Sequence, residues 1–259
     1  MSFDFMAALS AQAEHAKVCN ARPCKRCGLD RCPRCGADMF ERGTSRDVNG
    51  SFEVLKMCEA CADAMIAGRY IKDVEAALPA KFAWARVGAP ELKQRIKIER
   101  AAFLESHKAA LAGKSIVFHG GQGAGKTSLA IALFRAMLDH GRRRDASKAE
   151  VGRARRAAFA SAYDLARDRA RHKLGDGESP LVDRMTKASV AVIDDLGSEP
   201  EGQLSAVADV IYERHAQDRP TWITTWCSPA EVAVKYGAGI ARRAFEEAHV
   251  VEIGAGTEC

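Results

Sequence analysis

Apolar residues along the chain follow two different periods. Short apolar runs predict buried strands at 116–118 and 189–195, and weaker signals predict further strands at 157–160, 220–225 and 250–253. Between them the spacing is helical. Over 127–138, Leu129, Ala130, Leu133, Phe134 and Met137 share one face, and Gly141 is placed as the C′ residue. Further helices are predicted over 162–174, with Ser161 as cap, over 204–215 and over 239–247. Another is opened by the capping box Ser228-Pro-Ala-Glu231. Upstream, 62–78 reads as a helix stopped by Pro79, 91–111 as a single long helix, and 1–18 as a weak one whose only large apolar residues in register are Phe5, Met6 and Leu9. No internal repeat is seen. The alternation predicts an α/β domain, a parallel sheet with helices on both faces.

The run from Ser115 to Ser128 carries the chemistry. Gly120, Gly121, Gln122, Gly123, Ala124, Gly125, Lys126, Thr127 and Ser128 spell Gly-x-x-x-x-Gly-Lys-Thr, with an apolar strand before it and a helix after it. That is the strand–loop–helix context of a phosphate-binding P-loop. Glycines let the loop turn its N–H groups inward, and the helix N-terminus adds its positive end. Lys126 is expected at the β- and γ-phosphates of ATP and the Thr127 hydroxyl on Mg²⁺. The strand at 189–195 ends in two carboxylates, as a Walker B strand does. Asp194 is expected to hold Mg²⁺, and Asp195 to orient or deprotonate the attacking water.

Cysteine is concentrated near the N-terminus. Cys32-Pro-Arg-Cys35 and Cys58-Glu-Ala-Cys61 lie 22 residues apart, the spacing of a zinc ribbon with four thiolate ligands. Between them, Asp47-Val-Asn-Gly50 and the run 51–55 read as a hairpin turn and strand. His15, Cys19, Cys24 and Cys27 either form a second zinc site or stay free thiols, or Cys24 and Cys27 replace one knuckle of a single site. The irregular stretch 81–90 separates a zinc-binding domain, 1–80, from a nucleotide-binding domain, 81–259. Phe82 and Trp84 within that stretch either pack near the adenine or anchor the linker to a core.

Charge adds little. The first 80 residues carry 11 basic and 11 acidic side chains, so the net +5 lies in 81–259. The stretch 141–156 holds seven Arg or Lys against two acids, and reads equally as a phosphate-contacting loop or a solvated connector. No apolar run approaches the ~18 residues of a membrane span. The first residues lack the basic region of a signal peptide. Together with unpaired Cys-x-x-Cys motifs, this predicts a cytoplasmic protein with no membrane partner.

The spelling and order of these pieces resemble the AAA+ helicase-loader ATPases of the DnaC/DnaI type, and also the IstB-type transposition ATPases. The residues that carry the resemblance are Gly120–Ser128, Val190-Ala-Val-Ile-Asp-Asp-Leu-Gly-Ser-Glu-Pro200, Arg214, the strand 220–225 and Tyr236-Gly-Ala-Gly-Ile-Ala-Arg-Arg243. The resemblance runs from about residue 82 to 253. It implies a Mg²⁺-dependent, slow ATPase that acts on a replicative helicase and single-stranded DNA and assembles into a ring or spiral. The alternative is a transposition helper. An N-terminal zinc module favours the loader reading. The family's arginine finger matches Arg243, with Arg242 as substitute. Where the family has Ser/Thr-Asn at the end of the sensor strand, this chain has Trp226 after Thr224 and Thr225. Either threonine is a substitute, and Thr225 is taken as the catalytic one. No lid helix is expected after residue 253.

Overall fold

A computed structural model describes residues 44–48, 51–55, 59–143, 146–173, 175–200 and 202–254. The chain divides into two compact units, 1–66 with 142–145, and 67–141 with 146–259. In the first, β1 (Thr44–Val48) pairs antiparallel with β2 (Ser51–Leu55), Val48 opposite Ser51. This antiparallel pairing agrees with the hairpin expected there. The helix α1 (Glu59–Ala77) starts three residues before its predicted position. The backbone at Cys61 is therefore the first turn of a helix. Cys32, Cys35, Cys58, the possible second zinc set and the weak helix over 1–18 lie outside the described residues.

The second unit is an α/β sandwich around a five-stranded sheet, order β4-β5-β6-β3-β7, with every neighbouring pair parallel. Its strands are β3 (Ile116–Gly120), β4 (Ala157–Ser161), β5 (Val190–Leu196), β6 (Thr221–Thr225) and β7 (His249–Ile253). In β3, β4, β5 and β6 burial is nearly continuous because both faces are covered, whereas the edge strand β7 alternates buried and exposed residues. Alternate residues feed two cores. Ile116, Phe118, Val192 and Trp222 pack on one face, and Val117, Ala191, Ile193 and Ile223 on the other. Fully buried Trp222 anchors the first core. Its ring meets Phe118 and Phe134 edge-on, with centroids 6.3 and 5.9 Å away, and its indole N–H donates to the Lys114 carbonyl at 2.9 Å.

On the first face lie α3 (Arg100–Ala112), α4 (Lys126–Gly141) and α5 (Lys148–Arg155). The second carries α6 (Ala162–Arg171), α7 (Pro180–Lys187), α8 (Ser205–Ala216), α9 (Pro229–Tyr236) and α10 (Ala238–Phe245). The P-loop helix α4 is enclosed on more than the one predicted side. Every residue from Leu129 to Phe134 is inaccessible. It also runs through Gly141 instead of stopping before it.

Two expectations fail for identifiable reasons, and one helix goes unpredicted. The long helix over 91–111 is two, α2 (Pro90–Arg95) and α3, separated by extended backbone at Ile96 (φ −113°, ψ 123°) and Glu99. Tertiary contacts account for the break. Ile96 is buried beside the P-loop, and the Lys97 carbonyl accepts the N–H of Gly254 at 3.1 Å. The basic stretch 141–156 contains α5, which starts at a reciprocal Ser147–Glu150 capping box. Its charges mask the two apolar residues, Val151 and Ala154, that it buries. The short helix α7 has no sequence prediction, having only Val182 and Met185 to bury. Among the described residues no helix is long and apolar enough to cross a membrane.

Two buried arginines tie loops to this frame. Arg135 of α4 donates to the carbonyls of Phe82 (2.6 Å) and Ala85 (2.9 Å), strapping the 79–98 segment onto the domain. Arg214 is wholly inaccessible. It donates to the carbonyls of Met185 (2.8 Å), Ala188 (2.6 Å) and Pro220, and to the Thr221 hydroxyl (2.9 Å). Burial, with Arg219 nearby, pushes its pKa down to about 9, so it stays charged at neutral pH. Arg214→Ala strands these acceptors. It is expected to cost about 3–5 kcal/mol, with each unpaired buried acceptor contributing roughly 1–3. Urea denaturation of the variant measures this loss, and a change under 1 kcal/mol rejects the tying role.

Candidate nucleotide-binding site

The P-loop leaves the carboxyl end of β3 and enters α4, in the crevice where open parallel sheets bind ligands. Gly121, Gln122 and Gly123 are exposed, Ala124 and Gly125 half-buried, and Ser128 buried in the helix. Gly125 has φ +94°, and a Cβ there would sit 3.0 Å from the Ile96 side chain. This position therefore needs glycine on both conformational and steric grounds. Lys126 lies folded over the loop, its ammonium donating to the carbonyls of Gly120 (2.9 Å) and Gly121 (2.8 Å). Burial lowers its pKa, and Asp195 and Asp194 oppose that shift. The N-terminus of α4 follows the loop directly, and the unpaired N–H groups and positive end of a helix suit an anion.

Asp194 is the centre of the polar network. Its Oδ1 accepts from Thr127 of the P-loop helix (2.8 Å) and from Thr224 of β6 (2.7 Å). Burial pushes its pKa up, and the two hydroxyl bonds oppose that shift. A nearly buried carboxylate beside a threonine hydroxyl suits Mg²⁺ coordinated by the Thr127 and Asp194 oxygens. Among the described residues no cluster of three or more His, Cys, Asp or Glu forms a further metal site.

Asp195 follows with an exposed side chain and φ +62°, and strand pairing slips between Ile193 and Leu196. A non-glycine residue held in this region costs of order 1–3 kcal/mol and needs support from its surroundings. Some comes from Thr224, whose hydroxyl accepts the Asp195 N–H at 2.8 Å. Thr224 thus links the Asp194 carboxylate to the backbone of Asp195. Thr225 does not reach them. Its hydroxyl donates to the Leu196 carbonyl (2.8 Å) and accepts from the Cys227 N–H (3.0 Å), and it is fully buried. Trp226 is exposed.

Arg243 lies far from its own P-loop. It shares a cleft with Ser115 and Thr221, at the amino ends of β3 and β6, whereas the P-loop follows the carboxyl end of β3. Five strand residues put roughly 17 Å between the two ends. The guanidinium stacks 4.7 Å over Tyr212 and donates to the Gly239 carbonyl at 2.8 Å. Arg242 is more exposed and pairs with Glu246 at 3.5 Å. Trp84 donates to the Lys81 carbonyl at 2.9 Å and lies 4.8 Å under Arg95, and Phe82 packs on the core. Both aromatics anchor the linker.

This sheet order, P-loop and paired carboxylates define an α/β P-loop NTPase fold. The same fold is found in two solved structures. A crystal structure of the DnaC helicase loader aligns with TM-score 0.50 and 20% identity over 68% of this chain and 99% of that one. One of DnaI aligns with TM-score 0.52 and 20% identity over 68% and 95%. No family model matches the sequence, and no curated protein does.

The charge on Asp194 opposes folding when no cation is bound. Because the folded carboxyl keeps its proton to higher pH than the unfolded one, stability falls as pH rises through that interval and stays reduced at neutral pH. Asp194→Asn is therefore expected to raise the melting temperature of the nucleotide-free protein at pH 7.5 by roughly 2–4 °C, about 1 kcal/mol for a domain of this size. The gain should vanish toward pH 4. Calorimetric melts at both pH values check this, and an equal or lower melting temperature at pH 7.5 contradicts it.

Proposed function

We propose that the protein is a Mg²⁺-dependent ATPase that loads or remodels a replicative helicase on single-stranded DNA. The observation that carries the ATPase reading is the contact of Asp194 with Thr127 and Thr224, which joins the P-loop helix, the Walker B strand and β6 at one oxygen. In this reading the loop N–H groups and Lys126 hold the phosphates, and Thr127 and Asp194 hold Mg²⁺. The bound Mg²⁺ neutralises charge on the β- and γ-phosphates. Asp195, exposed next to it, orients the attacking water, with Thr224 holding its backbone in place. The loader assignment is supported by the fold shared with DnaC and DnaI and by the Asp194-Asp195-Leu196-Gly197 run. In the same proposal, a module within residues 1–80 binds zinc through Cys32, Cys35, Cys58 and Cys61, a reading that rests on their spacing. That module docks the helicase. Co-purification with a replicative helicase in the presence of ATP supports the loader reading, and retention of a transposase instead of the helicase rejects it.

In the same proposal the protein self-assembles, a reading supported by the distance between Arg243 and its own P-loop. An arginine at the far end of the strands serves phosphates only on a neighbour, where such residues are worth roughly 10³–10⁵ in rate. Arg243→Ala and Lys126→Ala subunits are each expected to be inactive and to regain turnover on mixing, because an intact P-loop then meets an intact Arg243. No recovery in subunits shown to co-assemble removes the role in trans.

A further inference from the structure

The turn after Asp195 is held by a second group of residues. Ser198 N–H donates back to the Asp195 carbonyl at 3.0 Å, closing the turn. Gly197, at φ +110°, lies so close to Cys227 that a Cβ would stand 2.7 Å from its sulfur. One Glu199 carboxylate oxygen accepts the Gly197 N–H at 3.1 Å and the Tyr236 hydroxyl, and faces the Lys235 ammonium at 3.7 Å. Lys235 in turn donates to the Gly197 carbonyl. The Glu199 side chain is completely inaccessible, and its other oxygen, Oε1, has no hydrogen-bond partner.

A buried carboxylate with one oxygen unsatisfied is costly, the more so when charged. The fold alone does not call for one here, four residues beyond the Walker B aspartates. Its partners tell more. Lys235 and Tyr236 are the last two residues of α9, and only Gly237 separates them from α10, which carries Arg243. One buried side chain thus joins the turn that sets Asp195 to the helix pair that carries the arginine.

We propose that Glu199 is a positioning residue for hydrolysis. Clamped by Tyr236 and Lys235, it fixes the 195–199 turn, and with it the left-handed backbone of Asp195, and it ties that turn to the helix pair bearing Arg243. Glu199 itself touches no phosphate. The inference rests on the ATPase reading above.

The test is steady-state ATP hydrolysis, with ATP affinity and melting temperature measured alongside, on full-length Glu199→Gln, Tyr236→Phe and the double variant. Glu199→Gln keeps the shape and loses the ion pair, while Tyr236→Phe removes only the hydroxyl. Each is expected to lower kcat roughly ten- to a hundredfold, the scale of a misplaced catalytic group. KM and ATP affinity should stay within about twofold, and the double variant should be no slower than the slower single one, as for residues that act as a unit. A residue that only packs would shift the melting temperature and leave kcat unchanged. An unchanged kcat in both single variants, or a loss confined to KM, overturns the proposal when the wild type hydrolyses ATP. A wild type without turnover overturns the ATPase reading, and this inference with it.

Discussion

A single buried carboxylate, Asp194, sets the terms for the rest of the site. Removing a charge from water is expensive unless hydrogen bonds or a cation replace the lost hydration. Here two threonine hydroxyls supply part of that replacement, one from the P-loop helix and one from β6. The strand order makes this possible. β6 lies between β3 and β5, so a side chain at its carboxyl end reaches toward both. The site is therefore sensitive to register. Thr224 and Thr225 are adjacent, and consecutive strand residues point to opposite faces. One meets the Asp194 carboxylate and the Asp195 N–H, while the other closes the turn at Leu196 and Cys227.

The surrounding fold keeps these pieces rigid with buried donors as much as with apolar packing. Arg135 fastens the linker segment to α4, and Arg214 fastens the loops before β5 and β6 to α8. Neither guanidinium relies on a close, well-formed carboxylate pair. Arg214 is satisfied by carbonyls and one hydroxyl, and Arg135 adds only a 3.4 Å contact to half-exposed Glu75. Such an arrangement fixes loop geometry because five planar donors accept only one set of acceptor positions.

What the sequence reveals depends on how local each feature is. The P-loop is legible because its glycines, lysine and threonine lie in one run between a strand and a helix. The strands β3 and β5 are legible because burial on both faces writes them as apolar runs. The break between α2 and α3 is not, since Ile96 and Ile98 continue an apolar pattern and only contacts with distant residues pull them out of the helix. Charge-rich α5 hides for the opposite reason, although its Ser147–Glu150 capping box is a readable start signal. Thr224 could not be told from Thr225 without knowing which face of β6 meets β5. Arg214 is visible as a residue, but its burial is not. Glu199 looks like any surface acid in Gly-Ser-Glu-Pro, and only the fold brings Tyr236 and Lys235 to it.

If Asp194 is an incomplete cation site, nucleotide and Mg²⁺ must bind as one unit. Isothermal titration of ATP into the wild-type protein, with Mg²⁺ and then with EDTA, measures this directly. The expected result is one site per chain and an affinity at least tenfold tighter with Mg²⁺, about 1.4 kcal/mol of coupling. Equal affinity under the two conditions would show that Asp194 and Thr127 hold no cation, and would contradict the account.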